Sequence, residues 1–248
     1  MKGAQEKKML ENSNYHTLSE IVYERIKDSI ITHPYKCGCR LYLKSLSEEM
    51  NVSMIPTREA LRKLEQEGLI EIVPNKGAIV KTYTIKDLIE IYDLRRQLES
   101  LAVEILVNKI NQSNLDELKK ICELDEKSLG KGNLEDHNKY NREFHKCLVN
   151  FSQNSRLIKF YNELSGQMYT LVSITTIFSY TNGEGAKHNV RKHREIIEAV
   201  EQKDTEHAKK IIQEHIQLSK ELAIKKIKNV MRNNEINQDS KIDIIALK

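Results

Sequence analysis

Four side chains in the second half of the sequence are of types that bind transition metals. Asn141 and His145 stand four residues apart in a stretch with helical periodicity, so they lie one above the other on the same helix face. His193 and His215 lie in two further helical stretches. Three imidazoles and one amide oxygen from three helices can converge in a bundle and hold a divalent metal. Neutral imidazole suits zinc, nickel, copper, cobalt or iron, so the residue types alone leave the metal open.

The spacing also leaves an interpretation without metal open. The chain has eight histidines, and in a helical protein some of them fall at such spacings without a metal. The alternative is a solvated polar cavity that binds its ligand directly. His137, one turn before Asn141, could join the set, but its place near a helix start favours exposure. The remaining histidines are expected at the surface or in loops: His16, His33, His188 and His207.

The sequence around these residues predicts an all-helical bundle. From Asp87 onward the apolar residues recur at helical spacing almost throughout, and glycine and proline occur mainly at the breaks. The breaks, which divide this part into six or seven helices, fall at 111–114, 130–133, 154–155, 180–185 and 203–204. We assign residues 87–230 to the bundle, residues 83–86 to a connector and residues 231–248 to a polar C-terminal tail.

A different pattern precedes the connector and predicts a winged helix-turn-helix over residues 17–82, after an N-terminal extension of residues 1–16. An amphipathic first helix covers 17–31. Further on, Ser53 is placed to cap a helix whose first turn holds Pro56, and Gly68 ends that helix. Two apolar strands follow, joined by the turn at 74–77. Such a helix, with Ser, Thr and Arg beside a basic wing tip, suits a major groove and its flanking phosphates.

Both halves resemble one known family. The run S-x-x-P-x-R-E-A-L-x-x-L-x-x-E-G-L, from Ser53 to Leu69, is similar to the signature of the DNA-binding domain of GntR-family bacterial transcription regulators. The run N-x-x-F-H-x-x-L from Asn141 to Leu148, and the later His193-Arg194, are similar to the FCD domain, the helical sensor of the FadR-like subgroup. The resemblance implies a mainly α protein with an N-terminal winged helix and an FCD-like bundle.

The resemblance also implies site residues. The family's metal set falls on Asn141, His145, His193 and His215; the first ligand is usually Asp, so the neutral Asn141 should weaken metal binding. In the family, an arginine at the position of Arg95 often faces the sensor cavity, where it could bind a carboxylate. Tyr169 and Ser173 could line the same cavity. Arg96 is the rival candidate, and Arg95 could instead be a surface residue paired with Glu99 or Asp93. The residues expected at the DNA are Lys44, Ser53, Thr57, Arg58, Arg62, Lys76 and Gly77. Met54 stands where many members have arginine.

The predicted function is sequence-specific regulation of transcription, with repression as the expected mode. A homodimer would bind operator DNA, and the bundle would sense a small carboxylate, with zinc or nickel as the expected metal. One alternative is a metal-dependent hydrolytic enzyme with an accessory DNA-binding module, because three histidines around a metal can activate water. Another is a DNA-binding dimer whose bundle is purely structural.

Composition agrees with a cytoplasmic protein. The net charge is only +4, so a DNA-binding surface must come from charge placement, and no apolar run could span a membrane or form a signal peptide. The Cys37-Gly38-Cys39 pair could form a metal or redox site, but a plain turn with reduced thiols is favoured because no second pair completes a zinc set.

Overall fold

The computed structural model describes residues 17–32, 38–73, 77–177 and 184–233, and divides the chain into two compact units between Tyr83 and Thr84. Side chains are not described at 172–177, 184, 226 and 229–233. Over these ranges the chain forms nine helices and one three-stranded sheet, which confirms the mainly α prediction. None of the described helices is long and apolar enough to cross a membrane.

The first unit is a winged helix-turn-helix. Its helices are α1 (Leu18–Thr32), α2 (Leu43–Glu49) and α3 (Met54–Gln66). Its strands are β1 (Arg40–Leu41), β2 (Ile70–Val73) and β3 (Gly77–Val80), and they form an antiparallel sheet in the order β1-β3-β2. The turn between α2 and α3 passes through Asn51 at φ 54°, a left-handed conformation that asparagine tolerates better than most residues.

The sheet of this unit depends on a glycine at the start of β3. Gly77 has φ 85°, and a Cβ added there would lie 3.1 Å from the backbone oxygen of Leu41 on β1. β3 is the central strand, and its pairing with β1 adds a strand to the predicted two-stranded wing. A side chain at residue 77 would therefore strain the backbone and push β1 away from β3.

The described part of the second unit contains six helices, within the predicted six or seven. They are α4 (Ile85–Lys109), α5 (Gln112–Gly130), α6 (Leu134–Phe151), α7 (Ser155–Ile177), α8 (Glu184–Glu201) and α9 (Thr205–Asn233). Polar residues cap the starts: Asn111 and Asn133 accept hydrogen bonds from backbone N–H groups of α5 and α6. α4 packs against α6, α7 and α9, and α8 packs against α5 and α9.

Two predicted boundaries differ from the structure. The expected connector at 83–86 is largely the start of α4, because Thr84 and Asp87 form a reciprocal capping box that begins the helix at Ile85. Tyr83, at the other end of that connector, is buried in the first unit. Residues 231–233 of the predicted C-terminal tail continue α9 instead. The N-terminal extension, the 180–183 part of the break and residues 234–248 of the tail lie outside the described residues, as does Cys37.

Candidate metal centre and nucleic-acid interface

Three of the predicted histidines meet inside the second unit. α6 supplies His145, α8 supplies His193 and α9 supplies His215, and one nitrogen of each lies within 4.8 Å of the others. The Nε2 atoms of His145 and His215 are 3.4 Å apart. Two nitrogens bound at about 2.1 Å to one tetrahedral ion lie about 3.4 Å apart, so this pair already has the spacing of two ligands.

The donor atoms of this cluster are buried and in part unpartnered. Within the described part of the chain, hydrogen-bond partners are absent for both ring nitrogens of His193 and for Nδ1 of His215. The amide oxygen of Asn141, one turn before His145 on α6, is also buried without a partner. Because a buried polar atom without a partner is costly, these atoms fit the binding of a group that the protein itself does not supply.

The surroundings keep the imidazoles neutral. Burial lowers the pKa of His145 despite the nearby Glu99, and it lowers the pKa values of His193 and His215 still further. A neutral imidazole keeps the lone pair that binds a metal, whereas imidazolium has none. Phe144 stacks on the ring of His193, with the two ring centroids 4.0 Å apart, and so fixes the plane of that ring.

A buried carboxylate orients one of the histidines. Nδ1–H of His145 donates to Oε2 of Glu99 at 2.6 Å, which leaves Nε2 of His145 as the free ligand atom. Nε–H of Arg95 donates to Oε1 of the same carboxylate at 2.7 Å. Burial alone would raise the pKa of Glu99, but the charge of Arg95 and the hydrogen bonds from Arg95 and His145 outweigh it and hold that pKa well below its usual range. Glu99 is therefore an anion within the site.

Arg95 is buried, so it is not the surface arginine that the alternative interpretation described, although it does pair with Glu99. Tyr169 lies near enough to Arg95 and Glu99 for their charges to act on its hydroxyl, and burial raises the pKa of Tyr169 to about 12. Arg95 and Tyr169 are therefore both buried and within electrostatic range of each other, and their shared role stays a prediction. Ser173 lies on the same helix, α7, but its side chain is outside the described part of the structure.

His137 differs from its expected place. It was expected to be exposed, but it is 1% exposed, and its Nδ1 lies 2.5 Å from Oδ1 of Asp125. The tertiary packing of α5 against α6 covers the start of α6, which an isolated helix would leave in water. Sequence reasoning missed Asp125 altogether, and it considered Glu99 only as a surface partner. The sequence did carry a signal for such residues, namely an acidic side chain on an otherwise apolar face of a predicted helix. Glu99 is an example, because it lies on the same helix face as Tyr92 and Val103.

The described members of the predicted DNA-contacting set lie on α2, on α3 or its N-cap, and at the start of β3. Lys44 is exposed near the start of α2, and Arg58 and Arg62 are exposed on α3. Ser53 occupies the N-cap position of α3 and is exposed, but its side chain makes no capping hydrogen bond. Gly77 is exposed at the start of β3, and Lys76 lies outside the described residues.

Thr57 does not belong to this exposed set. Its side chain is fully buried, and its hydroxyl donates to the backbone oxygen of Ser53 at 3.1 Å and lies 3.2 Å from the hydroxyl of Ser47. The expectation that Thr57 contacts DNA is therefore wrong for this arrangement. The reason is its place on the helix, because Thr57 lies three residues before Ala60 and seven before Leu64 on the buried face.

A winged helix-turn-helix joined to a helical bundle with a histidine cluster is the architecture expected of a DNA-binding protein with a second, ligand-binding unit. Residues 18–80 match the bacterial regulatory proteins of the gntR family, and residues 90–218 match the FCD domain. The chain is a member of the GntR family, with an FCD domain.

Individual relatives agree with this membership. The uncharacterized HTH-type transcriptional regulator YdhC of Bacillus subtilis is 34% identical over 78% of this chain and 85% of its own length. The gluconate operon transcriptional repressor of the same organism is 27% identical over 62% of this chain and 63% of its own. The solved structure of E. coli McbR/YncC has the same fold, with a TM-score of 0.77, 23% identity, and coverage of 85% of this chain and 99% of that one. Because the chain belongs to a family of transcription regulators, the prediction that it is not an enzyme is confirmed.

Proposed function

We propose that this regulator is an operator-binding homodimer in the cytoplasm, and that its bundle senses a small organic acid through a divalent metal. The observation that carries the proposal is the meeting of His145, His193 and His215. The buried amide oxygen of Asn141, one turn before His145 on α6, is without a partner in the described residues. Three neutral imidazoles and an amide oxygen form a donor set for zinc or nickel. Asn141 supplies no negative charge, so affinity should be lower than with an aspartate.

The chemistry of the site favours a carboxylate as effector. A bound divalent metal would supply positive charge and a coordination position that an oxygen ligand can take. Arg95 is charged and buried nearby, and its Nε is already used by Glu99. A carboxylate is the ligand that a guanidinium binds in a bidentate way, and the hydroxyl of Tyr169 offers a further hydrogen bond beside it. Ser173 completes the proposed effector set.

Regulation then requires a difference in affinity. An effector changes operator occupancy only if it binds the DNA-competent and DNA-incompetent arrangements with different free energies. Because relatives such as the gluconate operon repressor are named as repressors, we expect this chain to repress and the acid to relieve repression. The DNA contacts we propose are Lys44, Ser53, Arg58, Arg62, Lys76 and Gly77.

Elemental mass spectrometry of the tag-free protein tests the metal centre. Wild type, after incubation with zinc or nickel and gel filtration, should carry about one metal per chain, and His193→Ala should lose it. His207→Ala is the matched control, because His207 is exposed at the start of α9 and should leave the metal content unchanged. Equal metal content in all three proteins, or no metal in any, would reject the centre.

Thermal shift against a panel of small organic acids, with and without chelator, tests the sensor. A true effector raises the melting temperature because it binds only the native state. Tyr169→Phe, which removes one hydroxyl, should reduce the shift, whereas Tyr140→Phe on α6 should not. If no acid shifts the wild-type melting temperature, the bundle is better explained as a structural dimerisation domain, the alternative that the sequence left open.

A further inference from the structure

Two exposed apolar side chains stand at the beginning of α3, and the proposed DNA contacts do not use them. Met54 and Ile55 are the first two residues of this helix, and their side chains are 52% and 68% exposed. Among the described residues, Ile55 is the most exposed of the large apolar side chains. Single exposed apolar side chains are common, but these two are adjacent and lie at the start of the second helix of a helix-turn-helix, where such a motif meets DNA.

The helix geometry places Ile55 at the centre of the solvent face. α3 buries Ala60, Leu61 and Leu64 together with Thr57. At about 100° per residue, Ile55 lies opposite Leu64, on the far side of the helix from the core. Arg62, seven residues further on, lies nearly in line with Ile55, and Arg58 is one turn away on the same face.

The chemistry of these side chains restricts what they can read. In a helix-turn-helix, residues near the N-terminus of the recognition helix contact the edges of the bases. Met54 and Ile55 have no hydrogen-bond donors, so neither can make the bidentate contact by which arginine reads guanine. In the major groove of unmodified DNA, thymine presents a methyl group, and apolar side chains pack against it.

We propose that Ile55, with Met54 beside it, contacts the C5-methyl group of a thymine in each operator half-site. Arg58, on the same face, then supplies the hydrogen-bonded contact to a neighbouring base or phosphate. This inference rests on the proposed function, because it requires that α3 enters the major groove of a specific operator. It makes thymine at one position a determinant of sequence preference, through its methyl group rather than through hydrogen bonds to the edge of the base.

Replacement of thymine by deoxyuridine tests this contact, because it removes the methyl group and leaves the hydrogen-bonding edges unchanged. The full-length protein first selects its operator from a pool of random duplexes. Each thymine is then replaced singly, in both half-sites together, and the Kd is measured by fluorescence anisotropy at one salt concentration. For wild type, we expect at least one position at which uracil weakens binding about fourfold per half-site, the value of one buried methyl group.

The protein variants connect that loss to particular side chains. Ile55→Ala should bind the thymine operator more weakly and show little further loss at that position on uracil substitution. Because alanine favours the helical conformation at an exposed site, this variant should fold. A circular dichroism melting curve checks that it does. Leu134→Ala is the control, because Leu134 is an exposed leucine of the second unit and should keep the wild-type uracil penalty.

Three results would overturn the inference in distinguishable ways. If no uracil substitution weakens wild-type binding, the methyl contact does not exist. If the penalty persists in both Ile55→Ala and Met54→Ala, another side chain reads the methyl group. If the protein enriches no sequence from the pool, the proposed operator recognition fails together with the inference.

Discussion

Glu99 contacts Arg95 and His145 at the same time, with one carboxylate oxygen for each. Its Oε1 accepts from Arg95 at 2.7 Å and its Oε2 accepts from His145 at 2.6 Å, and the carboxylate is completely buried. The same group therefore neutralises the guanidinium proposed for the effector and fixes the tautomer of an imidazole proposed for the metal. A change in the charge at Arg95 would therefore act directly on His145 through this carboxylate.

Loss of Glu99 should destabilise the protein strongly. Glu99→Ala leaves Arg95 charged and buried without its carboxylate, and breaking one partner of a buried pair costs about 3–5 kcal/mol. We expect a loss of this size in the free energy of unfolding, measured by urea denaturation. Glu104→Ala is the control on the same helix, because Glu104 pairs with Lys209 at the surface and should leave the urea midpoint nearly unchanged. Similar midpoints for the two variants would contradict a structural role for the buried carboxylate.

Asn141→Asp should strengthen metal binding. The substitution adds a negative charge beside three neutral imidazoles, and we expect the metal affinity to rise at least about tenfold, since even indirect neighbours of metal sites change affinity by that factor. Competition with a chromophoric chelator measures it. Asn114→Asp adds the same charge on α5, which contributes none of the four side chains, and should not change the affinity. An unchanged affinity in Asn141→Asp would remove residue 141 from the site.

Replacement of Arg58 by alanine and replacement of Lys44 by alanine should impair DNA binding in different ways. If Arg58 contacts a base, Arg58→Ala should reduce discrimination between operator and mutated operator by about 1–3 kcal/mol. Lys44→Ala should weaken binding to all sequences alike and lower the slope of log affinity against log salt by about one. Anisotropy titrations at several salt concentrations distinguish them. A uniform loss in Arg58→Ala would assign Arg58 to a phosphate instead.

Cys122 should react slowly in the native protein. Burial raises the pKa of its thiol to about 11, so at pH 8 only about one molecule in a thousand carries the reactive thiolate. Alkylation at pH 8 followed by mass spectrometry should label the less buried Cys39 and leave Cys122 unmodified, and both should be labelled in urea. The native rate at Cys122 should keep rising as pH approaches 11. Equal labelling of both thiols at pH 8 in the native protein would contradict the buried position.

Local features of the fold could be predicted because neighbours in sequence determine them. The run from Ser53 to Gly68 contains a helix start, an apolar face and a helix end, and α3 covers nearly the same residues. The helix breaks at Asn111 and Asn133 coincide with side-chain caps that act within a few residues. Whether a side chain faces solvent or the core also depends on tertiary packing. For this reason the expectation that Thr57 is exposed at the DNA was wrong.

The sequence by itself determined which elements form and which residue types could do chemistry, since helical periodicity, capping residues and the metal-binding side chains are all local properties. Only the tertiary structure decided which of them meet. The packing of α4, α6, α8 and α9 brings together histidines up to 70 residues apart, and it places Glu99 against His145. The same packing buries His137 against Asp125. Burial and pairing depend on which helix faces are in contact, and that information is spread over the whole chain.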